Sequence, residues 1–109
     1  MNHMFYDCPR LKEINLSNFN TNNVINMSYM FYYCSSVKDI NLSNFNTNNV
    51  TNMERMFAEC SSLTNLNLTN FNTNNVANMY GIFYKCKKLT KYNIITNDKK
   101  LLKHLNKDF

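Results

Sequence analysis

The sequence predicts an α/β chain built from stacked strand–turn–helix units. Three observations carry that expectation. The first is a strict 26-residue period. Cys8, Cys34, Cys60 and Cys86 keep it, as do Phe5, Phe31, Phe57 and Phe83, and Phe19, Phe45 and Phe71. The second is a short alternation inside each period. Ile40 and Leu42 are apolar among Asp39, Asn41 and Ser43, the mark of a strand with one buried face. The third is a wider spacing that follows it. Val50, Met53, Met56, Phe57 and Cys60 fall on one side of a helix of about three turns.

Between strand and helix stands "NFNTNN" at 44–49, part of a ten-residue segment that recurs at 15–24, 41–50 and 67–76. The chain has one glycine and one proline, Gly81 and Pro9, so other residues must make its turns. Asn is the expected substitute, because it tolerates positive φ better than most. Asn48 and Asn49, with Thr47, stand where a helix N-cap is needed. No such unit can bury its apolar face alone, so neighbours must stack. A 26-residue period lies in the range of leucine-rich repeats. The expected fold is thus a right-handed leucine-rich-repeat solenoid, with a short parallel sheet of about four strands.

The organisation is one domain over 1–109. Residues 1–10 read as an N-terminal half-repeat, because Met1 and Met4 match Met27 and Met30 in phase. Full repeats are 11–36, 37–62 and 63–88. Residues 89–109 read as a C-terminal cap. There Leu89, Tyr92 and Ile94 keep the strand phase, and Leu101, Leu102, Leu105 and Phe109 form a helical stripe with Thr96 or Asn97 as N-cap. The half-repeat is either a natural cap or the start of a piece cut from a longer array.

The net charge of +5 is unevenly placed. Residues 85–109 hold eight lysines against Asp98 and Asp108, while the other 84 residues are close to neutral. A basic end of this kind suits acidic surfaces or nucleic acid. A solubilising cap is the reading preferred over nucleic-acid binding. No run of 18 apolar residues exists, so no transmembrane helix is expected, and "MNHMFYDCPR" does not read as a signal peptide.

The segments "MFYYCSSVKDINLSNFNTNNVTNM" (30–53) and "MFAECSSLTNLNLTNFNTNNVANM" (56–79) resemble the BspA-like leucine-rich repeats. The resemblance covers about residues 1–95. It implies a cell-surface or secreted setting and a role in adhesion and protein binding. The missing signal peptide leaves a cytoplasmic setting as the alternative. The family brings no catalytic residues.

The residues themselves agree with a non-enzyme that needs no cofactor. His3 and His104 lack partners at a catalytic or metal-binding spacing, and no C-x-x-C pair is present. Glu54 and Glu59 fall on helix exteriors and are not a paired set. The four cysteines are read as a ladder of reduced core thiols, with disulfides as the alternative. Met27, Met30, Met53, Met56 and Met79 are core by phase. Glycosylation triplets at Asn15, Asn26, Asn41, Asn49 and Asn67 are what an Asn-rich chain produces by chance.

The concave face of the expected sheet is the candidate binding surface. Its first column is Glu13, Asp39, Asn65 and Lys91. Its second is Asn15, Asn41 and Asn67, continued by Asn93. Its third is Ser17, Ser43 and Thr69. The second column also suits a ladder of stacked Asn side chains. The varied first column is where specificity for a protein partner would lie. The competing function is self-association through an unpaired sheet edge at 13–17.

Overall fold

The computed structural model describes residues 1–108. Phe109, one member of the expected helical stripe, lies outside the described residues. The regular elements are few. Strand β1 is Leu66–Asn67, strand β2 is Ile94–Ile95, and helix α1 is Lys99–Asp108. β1 and β2 pair in parallel, Leu66 against Ile94 and Asn67 against Ile95. Isolated parallel bridges join Asn26 to Asn52 and Asn52 to Asn78.

The leucine-rich-repeat solenoid with its four-stranded sheet is therefore corrected. Two strands of two residues each replace the sheet, and turns replace the helices expected within the repeats. Residues 13–17 form no strand, so the sheet edge invoked for self-association is absent. The molecule is small and compact, with a radius of gyration of 12.4 Å.

The physical reason lies in the backbone of the apolar-rich runs. Tyr29 and Tyr33 have φ of +58° and +60°, and Arg55 and Glu59 have +48° and +59°. His3, Asp7, Gly81 and Lys85 occupy the same places in their units, also at positive φ. A left-handed residue at every fourth position breaks the continuous pattern of a helix. The N–H groups then divide by turns. Met30, Tyr32 and Cys34 donate back three residues, to Met27, Tyr29 and Phe31. Tyr29, Phe31 and Tyr33 donate instead to Glu54, Met56 and Ala58, at 2.8–2.9 Å. Arg55, Phe57 and Glu59 do the same to Tyr80, Ile82 and Tyr84. Bonds to the neighbouring unit thus replace half of the local ones. Each costs loop-closure entropy, but together they satisfy a buried backbone.

The apolar pattern is buried even though its element differs. Val50, Met53, Met56, Phe57 and Cys60 are each fully buried. Tight consecutive turns point every third or fourth residue inward, much as a helix would. Phe5, Phe31, Phe57 and Phe83 stack ring on ring, with centroids 5.6–6.0 Å apart. The five methionines assigned to the core are buried.

Asn does not supply the positive φ, contrary to expectation. Its side chains make turns by accepting a backbone N–H two residues on. Asn41 accepts from Ser43, Asn46 from Asn48, and Asn52 from Glu54. The same three turns recur in the units on either side. Other Asn side chains tie units together. The Asn44 amide donates to the Leu16 and Phe19 carbonyls, and the Asn70 amide to those of Leu42 and Phe45. Thr21 and Thr47 are buried beside them. Each hydroxyl donates to a carbonyl of the next unit, Asn46 or Asn72, and accepts that residue's N–H.

Near the C-terminus this arrangement changes. Asp98 stands 26 residues after Asn72 and takes over its place against Thr73. It accepts the Thr73 hydroxyl at 2.6 Å and the Thr73 N–H at 3.0 Å. It also accepts the N–H groups of Lys100 and Leu101, which makes Asp98 the N-cap of α1 in place of Thr96 or Asn97. Leu101 and Leu105 join the core. Lys100 donates from Nζ to the Thr73 and Val76 carbonyls, so one lysine of the basic end is a structural tie.

Candidate functional site

Two adjoining clefts lie along the side of the molecule that carries the expected binding columns. The larger, of about 1080 Å³, is lined by Glu13, Asn15 and Ser17 from one unit and Asp39, Asn41 and Ser43 from the next. The smaller, of about 370 Å³, continues from Asp39, Asn41 and Ser43 to Asn65, Asn67 and Thr69. The structure thus brings nine of the candidate residues onto one continuous groove. Lys91 is exposed but lines neither cleft, and its Nζ lies 5.4 Å from the Tyr92 ring centroid. The groove is lined by irregular segments and by Asn67 of β1 rather than by a four-stranded sheet.

The local geometry explains how the columns are held. The Asn15, Asn41 and Asn67 side chains each accept the N–H of the residue two ahead at 3.0 Å. This overturns the expected ladder of Asn side chains. The oxygen of each is used within its own unit. Asn93 likewise turns inward, accepting from the Thr90 N–H and hydroxyl. The amide NH₂ groups of Asn15, Asn41 and Asn67 have no hydrogen bond among the described residues, and these side chains are exposed. They form a row of donors of fixed direction. An oriented donor suits a carbonyl or carboxylate oxygen.

Sequence reasoning missed Lys12 and Lys38, which line the larger cleft beside Glu13 and Asp39. The signal was present, since they too stand 26 residues apart, each one place before an acid. The reading stopped at alternate residues of an expected strand and passed over its neighbours. Ser36 and Ser62 enter the same cleft from the preceding turn. None of Lys12, Glu13, Lys38 and Asp39 forms an ion pair among the described residues. Among the described residues the ion pair is Arg55 with Glu54, at 3.8 Å, and neither lines the groove. The groove therefore offers charges of both signs without an internal partner.

No disulfide joins the four cysteines among the described residues. Cys34, Cys60 and Cys86 are buried and donate from Sγ to the carbonyls of Phe5, Phe31 and Phe57, at 3.0–3.1 Å. Burial pushes the Cys34 thiol up to about 12, and it raises Cys60 as well. Such thiols are poor nucleophiles at neutral pH. No group of three or more potential metal ligands occurs among the described residues. No helix among them is long and apolar enough to cross a membrane.

His3 and His104 lie apart from the groove. His3 stacks on Tyr29 with centroids 4.9 Å apart, in a partly exposed aromatic group with Tyr6 and Tyr32. Tyr32 donates its hydroxyl to Glu59 at 2.7 Å. That bond, with burial, raises the phenol to about 12. Glu59 is thereby occupied in structure.

No curated protein and no solved structure matches this chain. A family model described as "Mycoplasma protein of unknown function, DUF285" matches residues 1–107. That match spans nearly the whole chain, which therefore belongs to the DUF285 family.

Proposed function

We propose that this chain is a non-catalytic protein-binding module that engages its partner along the polar groove. One observation carries the reading. Residues from three successive units converge there, with unpaired charges at Lys12, Glu13, Lys38 and Asp39 above a row of free amide donors. A polypeptide segment fits such a surface. Its carbonyls meet the amides, and its charged side chains meet the lysines and acids. Charges of this kind steer association and select register more than they add affinity. The resemblance to BspA-like surface proteins supports an adhesive role at the cell surface or outside the cell.

The test is retention of partners on immobilised protein, wild type against the double variant Glu13→Lys, Asp39→Lys. Both positions are exposed, so folding should be unchanged. Proteins held by the wild type and lost by the variant are the expected result. An unchanged set of partners would remove the groove from the account.

A further inference from the structure

A third cleft, of about 470 Å³, shares no residue with the polar groove. Helix α1 lines it with Lys100, Lys103 and His104, and the segment 76–80 lines it with Ala77, Met79 and Tyr80 among others. The volume is that of a small-molecule site. Its charge is one-sided. Three side chains with basic nitrogens line it, and among the described residues no Asp or Glu does. Asp98, the acid just ahead of α1, stands outside the lining and uses its oxygens on Thr73, Lys100 and Leu101.

Two of the lining groups are held in place. Lys100 donates from Nζ to the Thr73 and Val76 carbonyls, at 3.1 and 3.0 Å. An ammonium has three N–H donors, so one is left for a ligand. The two carbonyls are neutral, and Lys100 forms no ion pair among the described residues, so its charge is uncompensated. Tyr80 is the second group. The Arg55 guanidinium lies over its ring, 5.1 Å from the centroid, and is itself anchored by donating to the Tyr29 hydroxyl at 2.9 Å. Gly81 makes room for that arm, since a Cβ there would stand 3.3 Å from Arg55 Cγ. Tyr80 is nevertheless 64% exposed, which leaves ring area for a flat ligand. The ring is particular to this place. Its counterparts 26 and 52 residues earlier are Glu54 and Ser28.

We propose that this cleft binds a small phosphate monoester that carries a flat ring, the chemistry of a nucleoside monophosphate. The phosphate oxygens accept from Lys103 and from the remaining N–H of Lys100. A dianion with several acceptor oxygens matches two ammonium groups, and charge-assisted bonds of this kind are strong. The ring stacks on Tyr80, a contact that every nucleobase can make through its π-face.

The experiment titrates adenosine monophosphate into the isotope-labelled chain and follows backbone amide shifts by NMR. Saturable shifts, strongest at 76–80 and 100–104, are the expected result. Adenosine alone and inorganic phosphate alone should each bind about tenfold or more weakly, since each lacks half of the contacts. Lys103→Glu should weaken the nucleotide about tenfold. Lys87→Glu, the same charge change at an exposed lysine outside the cleft, should leave it unchanged. Tyr80→Leu should weaken the nucleotide but not inorganic phosphate, a split that a merely structural tyrosine would not produce. Equal losses from the two lysine variants would mean a diffuse field and overturn the site. So would the absence of saturable shifts, shifts centred on the polar groove, or a single-stranded oligonucleotide that binds where the mononucleotide does not.

Discussion

The first unit and the C-terminal segment carry related side-chain templates but finish in opposite ways. Residues 1–24 leave Phe5, Ile14, Phe19 and Val24 partly exposed. At the other end Leu101 and Leu105 seal the core, Asp98 replaces an Asn, and Lys100 satisfies two carbonyls. Closing a repeat therefore takes more than apolar cover. It takes groups that accept and donate hydrogen bonds at the end of the core, as Asp98 accepts from Thr73 and Lys100 donates to the Thr73 and Val76 carbonyls. The difference also divides the chain energetically, into a well-buried middle and a first unit held from one side.

The largest expected effect tests that division. Phe57 is fully buried between Phe31 and Phe83. Phe57→Ala should cost about 3–5 kcal/mol in urea unfolding, from lost transfer energy and a cavity. Phe5→Ala, at a partly exposed site, should cost about 1–2 kcal/mol. Equal costs would erase the distinction between middle and first unit.

A smaller effect sharpens the closed end. Asp98→Ala removes the cap of α1 and the tie to Thr73, and should cost about 1–2 kcal/mol. Partial burial alone would raise the Asp98 pKa. Hydrogen bonds from Thr73, Leu101 and Lys100 outweigh it and hold the carboxyl below its ordinary 3.8. A lowered folded pKa stabilises above the unfolded value, and this contribution is lost as pH falls through the folded one. The gap in melting temperature between wild type and Asp98→Ala should thus be full at pH 7 and narrow below about pH 4. A gap constant down to pH 2 would mean that the charge contributes nothing.

The sequence made the period and the core legible, because both are written in side-chain size. Val50, Met53 and Cys60 were placed inside from spacing alone, and the structure buries them. The elements were not legible. Spacings of three and four are shared by a helix and by consecutive tight turns. Only the positive φ at residues such as Tyr29 and Glu59 separates the two. Nothing about Tyr or Glu announces that conformation, which long-range bonds to the next unit enforce. The groove was partly legible. Asp39, Asn41 and Ser43 came from the alternation, but Lys38 did not, since a strand would have turned it to the other face. The Asn roles were misassigned because accepting an N–H two residues on and adopting positive φ look alike in composition.

Native-state thiol labelling tests the central contrast most directly. Each of Cys34, Cys60 and Cys86 is buried against a carbonyl of the unit before it, and Cys8 is partly exposed. Cys8 is expected to react promptly at neutral pH, while the other three wait for unfolding and then react together. Four thiols labelled at one common rate, or a Cys8 as slow as the rest, would contradict it.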